Sequence, residues 1–245
     1  MPITAAETAV RAFVAGASGY TGQAVVRVLR QLAIDTVAHV RPDSPRLDTH
    51  RKTFEILGAE VDTTPWDVDA LAAAFARIGP THLFCLIGTT RKRMKERARS
   101  GGDASEADYE AVDFGLTLML ANACAQADVA PRFVYLSAVG TNASSPGAYA
   151  RARWKAEQAA IESGLPFTVA RPAFITGSDR DEKRPLEHGF ATVLDGALAV
   201  AGAFGAQKVR ERYRSTNADK LARALVRVAF DPAFENRVVE SEELR

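Results

Sequence analysis

The sequence predicts an α/β fold, a mostly parallel, doubly wound sheet with helices on both faces. Three observations predict it. Short β-rich runs alternate with helical patterns along most of the chain. One run, THLFCLI at 81–87, is apolar over its full length, as a strand covered on both faces reads. A glycine-rich turn, GASGYTG at 16–22, stands between the first strand and the first helix.

The elements follow in order. Val10–Ala15 is a short strand, and Gly22–Leu32 carries Val25, Val26, Leu29 and Leu32 at helical spacing. Thr36–Val40 is a second strand, closed by Arg41-Pro42. Arg46–Leu57 reads as a helix ending at Gly58, and Ala59–Asp62 as a third strand. Asp67 or Asp69 caps a helix over Leu71–Ile78, which stops before Gly79-Pro80. After the fourth strand, Arg91–Ser105 is rich in Lys, Arg, Gly and Ser and reads as a loop. Glu106–Gln126 is a long helix with an apolar face. Arg132–Ser137 is the fifth strand, Ala148–Ser163 a helix, and Pro166–Arg171 the sixth strand. Leu186–Ala203 reads as helical, Lys208–Tyr213 as extended and Asn217–Phe230 as helical, with a short strand around Arg237–Glu240. No repeat or linker divides the chain. We expect one domain over residues 1–245, with a cofactor-binding core over about 10–172 and a substrate-side lobe over 173–245.

A formal net charge of +1 makes no case for nucleic acid or membrane. Cys85 and Cys124 lie in apolar segments and read as buried free thiols, which suits a reducing cytoplasm. The N-terminal residues show no signal-peptide pattern, and no stretch approaches the roughly 20 apolar residues that span a bilayer. The four histidines are scattered without zinc-like spacing, so no metal is expected. RKRMKERAR at 91–99 packs six cations and one acid into nine residues. It has no interleaved aromatics, so it reads as a solvated loop or as a lid for an acidic ligand rather than as a nucleic-acid patch.

The glycine loop points to a dinucleotide. Gly16 turns the chain out of the strand, Gly19 lets the backbone approach a pyrophosphate, and Gly22 lets the helix pack closely. The helix N-terminus then offers N–H groups and partial positive charge to the phosphates, with Ser18, Tyr20 and Thr21 in the same turn. Cofactor choice is read at the end of the second strand. Arg41 stands there, and a guanidinium suits a 2′-phosphate, so NADP(H) is expected over NAD(H). The plain alternative is a solvated arginine. Asp67 is a candidate for the adenine end of the pocket, against its reading as a helix cap.

Five stretches in order resemble the atypical, NAD(P)-binding branch of the short-chain dehydrogenase/reductase superfamily: GASGYTG at 16–22, LIGTTR at 86–91, RFVYLSAVG at 132–140, Tyr149-xxx-Arg153-xxx-Glu157, and SGLPFTVARP at 163–172. LIGTTR and the later RPAFITGSDRDEKRP look most like the Tat-interacting oxidoreductase-like and NmrA-like proteins of that branch. The resemblance implies a Rossmann fold of about seven strands, with a nicotinamide cofactor across the strands' C-terminal ends. It also implies roles. Gly88 and Thr89, with Thr90 and Arg91 after them, would meet the cofactor near its adenine-side ribose and phosphates. Ser137 would orient a substrate carbonyl and Tyr149 would donate the proton. Pro172, Ala173, Phe174 and Ile175 would line the nicotinamide.

One position departs from the pattern. The residue four after the tyrosine is lysine in the family and Arg153 here, while Lys155 lies two residues on. Residues four apart share a helical face, so Tyr149 and Arg153 can cooperate if the helix has begun by Tyr149. A neighbouring cation favours phenolate, yet arginine and lysine differ in shape. The bland alternative pairs Arg153 with Glu157 on the surface, leaves Tyr149 a half-buried aromatic, Ser137 a strand-end residue and Lys155 solvated. The expectation is therefore an NADP(H)-dependent oxidoreductase acting on a small-molecule carbonyl or hydroxyl substrate. The alternative is a catalytically weak or inactive NADP(H)-binding regulatory or scaffold protein. The helices over 106–126 and 148–163 could pair two subunits as a homodimer.

Overall fold

A computed structural model describes residues 9–89, 99, 108–145, 147–173, 175 and 216–245. Seven strands form one sheet: β1 Arg11–Ala15, β2 Asp35–His39, β3 Glu60–Asp62, β4 His82–Cys85, β5 Arg132–Leu136, β6 Phe167–Arg171 and β7 Arg237–Glu240. Their order across the sheet is β3-β2-β1-β4-β5-β6-β7, and every pair is parallel. The sequence-predicted Rossmann fold and its seven strands are thus present.

The strands are covered on both faces, and the period of two along each strand separates the faces. Ala12 and Val14 of β1, with Phe84, Val134 and Ala170, pack against α1 (Tyr20–Gln31) and against the C-terminal helix Ala218–Phe230. Phe13 and Ala15, with Leu83, Cys85, Phe133 and Tyr135, pack against helices on the opposite face. Those are α3 (Val68–Ile78), α4 (Leu116–Gln126) and α5 (Ala148–Glu162). Leu71, Phe75, Leu120, Cys124, Ala156 and Ala160 supply their buried sides. The remaining α-helices among the described residues are α2 (Leu47–Ile56) and the C-terminal α6 just named.

Local chemistry fixes the helix ends. Asp67 accepts from the Ala70 N–H at 2.9 Å and opens α3, which stops at Gly79 in a left-handed conformation (φ +61°). Asn217 does the same for α6 through the Lys220 N–H. The long helix expected over 106–126 differs from a plain α-helix. Its described part opens with a π-helical stretch, Glu110–Gly115, before α4 begins. Such a stretch shifts the side chains that follow around the helix axis. The segments 186–203 and 208–213, most of the 91–105 loop, and Glu106 lie outside the described residues. No helix among the described residues is long and apolar enough to cross a membrane.

The order of strands places a switch point between β1 and β4, where the chain winds one way after β1 and the other after β4. A crevice opens outside the C-terminal ends of such strands. The glycine turn leaves β1 there, and Leu86–Thr89 leaves β4 there. The two are tied by the Leu86 N–H donating to the Ala15 carbonyl at 2.9 Å.

Candidate functional site

The turn at the end of β1 has the stereochemistry its glycines suggest. Gly16 sits at φ +84°, and a Cβ there would stand 2.8 Å from the Leu86 carbonyl oxygen. A Cβ on Gly22 would stand 2.2 Å from the Gly16 carbonyl oxygen, so α1 can lie this close to the turn only with glycine. Gly19 is different. It is the N-cap of α1, its N–H donates to Gly16 at 3.0 Å, and a Cβ would meet only that oxygen, at 3.2 Å. No side chain caps α1, and its first turn holds no acidic residue. A helix start left this way, beside open space, fits an anion. A dinucleotide pyrophosphate therefore suits this turn. Around it, Thr21 is buried, Tyr20 packs on the core below, and the Ser18 carbonyl accepts from Gln23 Nε2 at 3.1 Å.

Two residues bear on the adenosine end. Arg41 follows β2, is half-exposed, and pairs with Asp43 at 3.1 Å. Asp67 has its carboxylate turned to the α3 amide it caps. Of its two expected roles the cap is the one the geometry displays.

The other end of the crevice is built of side chains that already hold one another. Tyr149 sits in the first turn of α5, so Tyr149 and Arg153 do share a helical face. The Arg153 guanidinium lies over the Tyr149 ring, 5.4 Å from its centroid, and Tyr109 meets that ring edge-on at 5.2 Å. Tyr149 is 41% exposed, while Arg153 against its ring is 8% exposed.

The surface pairing of Arg153 with Glu157 is not what forms. Arg153 Nε instead faces Asp113 Oδ1 at 2.9 Å, and Nη1 donates to the Leu136 carbonyl at 2.6 Å and to Tyr135 Oη at 3.2 Å. Nη2 rests against Gly88, where a Cβ would stand 2.5 Å from it. The other Asp113 oxygen accepts the Thr89 N–H at 3.0 Å. Burial pushes the Asp113 carboxyl's pKa up, with Arg153 and the Thr89 amide opposing. Burial opposes the charge of Arg153 too, but the two tyrosines and Asp113 outweigh it and keep the guanidinium charged. Burial also pushes the Tyr135 phenol up.

Glu157 is buried as well. It accepts a hydrogen bond from Ser137 Oγ at 2.5 Å, and Arg171 grips it with Nε–Oε1 at 2.9 Å and Nη2–Oε2 at 2.6 Å. Arg171 reaches on to Glu240 at 3.0 Å. The Ser137 hydrogen expected to orient a substrate carbonyl is therefore directed at Glu157. Ser137 keeps only acceptor capacity toward the crevice. Lys155, expected to be solvated, is half-exposed and pairs with Glu110 at 2.5 Å.

Beyond β6, the Pro172 carbonyl accepts from Val139 N–H at 2.9 Å, and the Ala173 N–H donates to Ser241 Oγ at 3.2 Å. These two backbone groups tie the end of β6 to the segment after β5 and to the C-terminus. Ile175 forms an isolated parallel bridge with Thr216. Thr90, Arg91 and Phe174 lie outside the described residues.

Sequence reasoning missed Asp113 and the buried fates of Glu157 and Arg171. Asp113 had a signal. It is the last acid before the apolar-rich run FGLTLMLA at 114–121, and the chain carries an unusual arginine four residues after its candidate tyrosine. Each needs a partner if buried.

Comparison with known proteins agrees with this geometry. Residues 16–197 match the family described as NAD(P)H-binding. The chain is 27% identical over 187 residues to "Protein FMP52, mitochondrial" of Candida albicans, covering 74% of each chain. A candidate NAD-dependent epimerase/dehydratase from Bacillus halodurans superposes with a TM-score of 0.65 at 14% identity, over 96% of this chain and 98% of that one. The UDP-glucose 4-epimerase of Brucella ovis, solved in complex with NAD, superposes with a TM-score of 0.60 at 16% identity, over 90% of this chain and 73% of that one. At these identities the two structures show the fold. The family match covers most of the chain, the glycine turn opens it, and the chain belongs to the NAD(P)H-binding family.

Proposed function

We propose that the protein is an NADP(H)-dependent oxidoreductase acting on a small carbonyl or hydroxyl substrate. The observation that carries this reading is the uncapped, acid-free start of α1 at Gly19, at the switch point, with the solvent-open Tyr149 on the helix that follows β5. A bound nicotinamide supplies the hydride. The chain supplies the rest. Gly16, Gly19 and Gly22 shape the pyrophosphate seat. Arg41 can leave Asp43 for a 2′-phosphate, because the pair is solvent-exposed and worth little. Tyr149 donates a proton to the carbonyl oxygen in reduction and takes one back in oxidation, with the Arg153 guanidinium against its ring. The crevice is taken to lie in the cytoplasm and to receive substrate from solution.

A second reading has its own observation. Ser137 directs its hydrogen to Glu157, and Arg153 spends its donors within the protein. That favours a protein that binds NADP(H) and turns over slowly or not at all, acting through a partner.

Titration with NADPH and NADH, followed by cofactor fluorescence, tests the cofactor reading. Arg41→Ala is expected to weaken NADPH by about tenfold and leave NADH unchanged, as loss of a charged hydrogen bond implies. Equal loss for both nucleotides would remove Arg41 from 2′-phosphate recognition. NADPH oxidation over a carbonyl panel then separates the two readings: turnover abolished by Tyr149→Phe supports the first, and tight binding without turnover supports the second.

A further inference from the structure

We propose that Asp113 is a positioning residue: its buried carboxylate ties the Gly88–Thr89 turn, which meets the cofactor, to the Arg153–Tyr149 pair, which carries the proton. The inference rests on the NADP(H) reading above and adds to it a coupling between the two halves of the site.

Four observations carry it. Asp113 is fully buried, and its two oxygens serve two different elements. One accepts the Thr89 N–H at 3.0 Å, and the other faces Arg153 Nε at 2.9 Å. Oδ1 and Nε are each without an aligned hydrogen bond among the described residues, so what joins them is charge rather than a directed bond. Gly88 lies directly on the Arg153 guanidinium, so that guanidinium is the floor of the turn. The same guanidinium lies 5.4 Å from the centroid of the Tyr149 ring. Finally, Asp113 lies in the π-helical stretch Glu110–Gly115, the one departure from α geometry in the helix that precedes α4. A π-helical turn is the kind of local irregularity that re-aims a side chain at a functional site.

The arrangement explains why arginine stands at position 153. Its Nε meets Asp113, Nη1 binds the end of β5, and Nη2 supports Gly88. Three separate directions are served by one planar fork, which a lysine ammonium on a flexible stem does not present. Without Asp113 the guanidinium would keep the Leu136 carbonyl and Tyr135 but lose its only buried carboxylate among the described residues. The turn above would lose its amide acceptor at the same time.

The test uses the full-length protein with two readouts, NADPH affinity by fluorescence titration and hydrogen exchange of the Thr89 amide. Asp113→Ala is expected to weaken NADPH by about tenfold or more, as displacement of a binding element implies. It is also expected to speed exchange at Thr89 while Leu83 and Phe84 in β4 stay protected. Asp113→Asn keeps an acceptor for the Thr89 amide and is expected to recover part of both. A purely structural role would instead raise exchange throughout the sheet and leave affinity unchanged in the folded fraction. Where Asp113→Ala does not fold, Asp113→Asn combined with Arg153→Gln removes both buried charges and the floor under Gly88, and the same loss of affinity is expected. Unchanged NADPH affinity in a folded variant overturns the proposal. Wild-type protein that binds neither NADPH nor NADH overturns the cofactor reading itself, and this inference with it.

Discussion

At the β1–α1 turn the protein presents backbone to its ligand, whereas at the β5–α5 end it presents side chains already engaged with one another. The turn needs glycine at Gly16 and Gly22, its helix start has no side-chain cap, and a Cβ at Gly19 would meet a single atom. The other end holds Ser137 on Glu157, Glu157 on Arg171, and Arg153 on Asp113. The first region has a helix start with no side-chain cap. The second is cross-linked by buried ion pairs, with Tyr149 its exposed element. Asp113 joins the two ends through Thr89 and Arg153, and away from it substitutions at the two ends should fail in different ways.

The largest effect is expected where a buried charge loses its partner. Glu157→Ala leaves the Arg171 side chain, 20% exposed, with Glu240 alone. About 3 kcal/mol of stability should be lost, the low end for breaking a buried pair because Glu240 remains. Urea denaturation measures it, as a lower midpoint at an unchanged slope. NADPH affinity of the folded protein should not change, because Glu157 is at the chemical end. Parallel losses of stability and affinity would mean that the two ends are not separate.

A smaller effect sharpens the adenosine side. Asp67→Ala removes the cap of α3 and should cost about 1 kcal/mol. As a cap alone, Asp67 should leave NADPH binding as it was. A loss of affinity at unchanged thermal midpoint would return Asp67 to the adenine pocket.

The sequence made the phosphate end legible and the chemical end only partly so. Strand positions follow from apolar runs flanked by turn residues, and all seven strands fall within a residue or two of the pattern. The glycine spacing reports backbone geometry, and backbone geometry is local. The charged residues of α5 were harder. Arg153 and Glu157 sit one turn apart and read as an exposed ion pair, but Ala152, Ala156 and Ala160 beside them are the small residues that let this face approach the sheet. Burial then forces both charges to find partners from other elements: Asp113 from the helix before α4, and Arg171 from β6. Such partners lie 40 and 14 residues away and no spacing rule finds them. The π-helical turn that aims Asp113 has no sequence signature in this stretch.

The measurement that tests the central claim most directly is NADPH titration of wild-type protein beside Gly19→Val. The substitution places a Cβ 3.2 Å from the Gly16 carbonyl oxygen, at an N-cap that disfavours valine, so the fold should hold with a loss of about 1 kcal/mol while the seat of the pyrophosphate is filled. Saturable NADPH binding by the wild type and none by the folded variant is the predicted result. Equal binding by the two proteins would contradict the account, because the cofactor would then lie somewhere other than the start of α1.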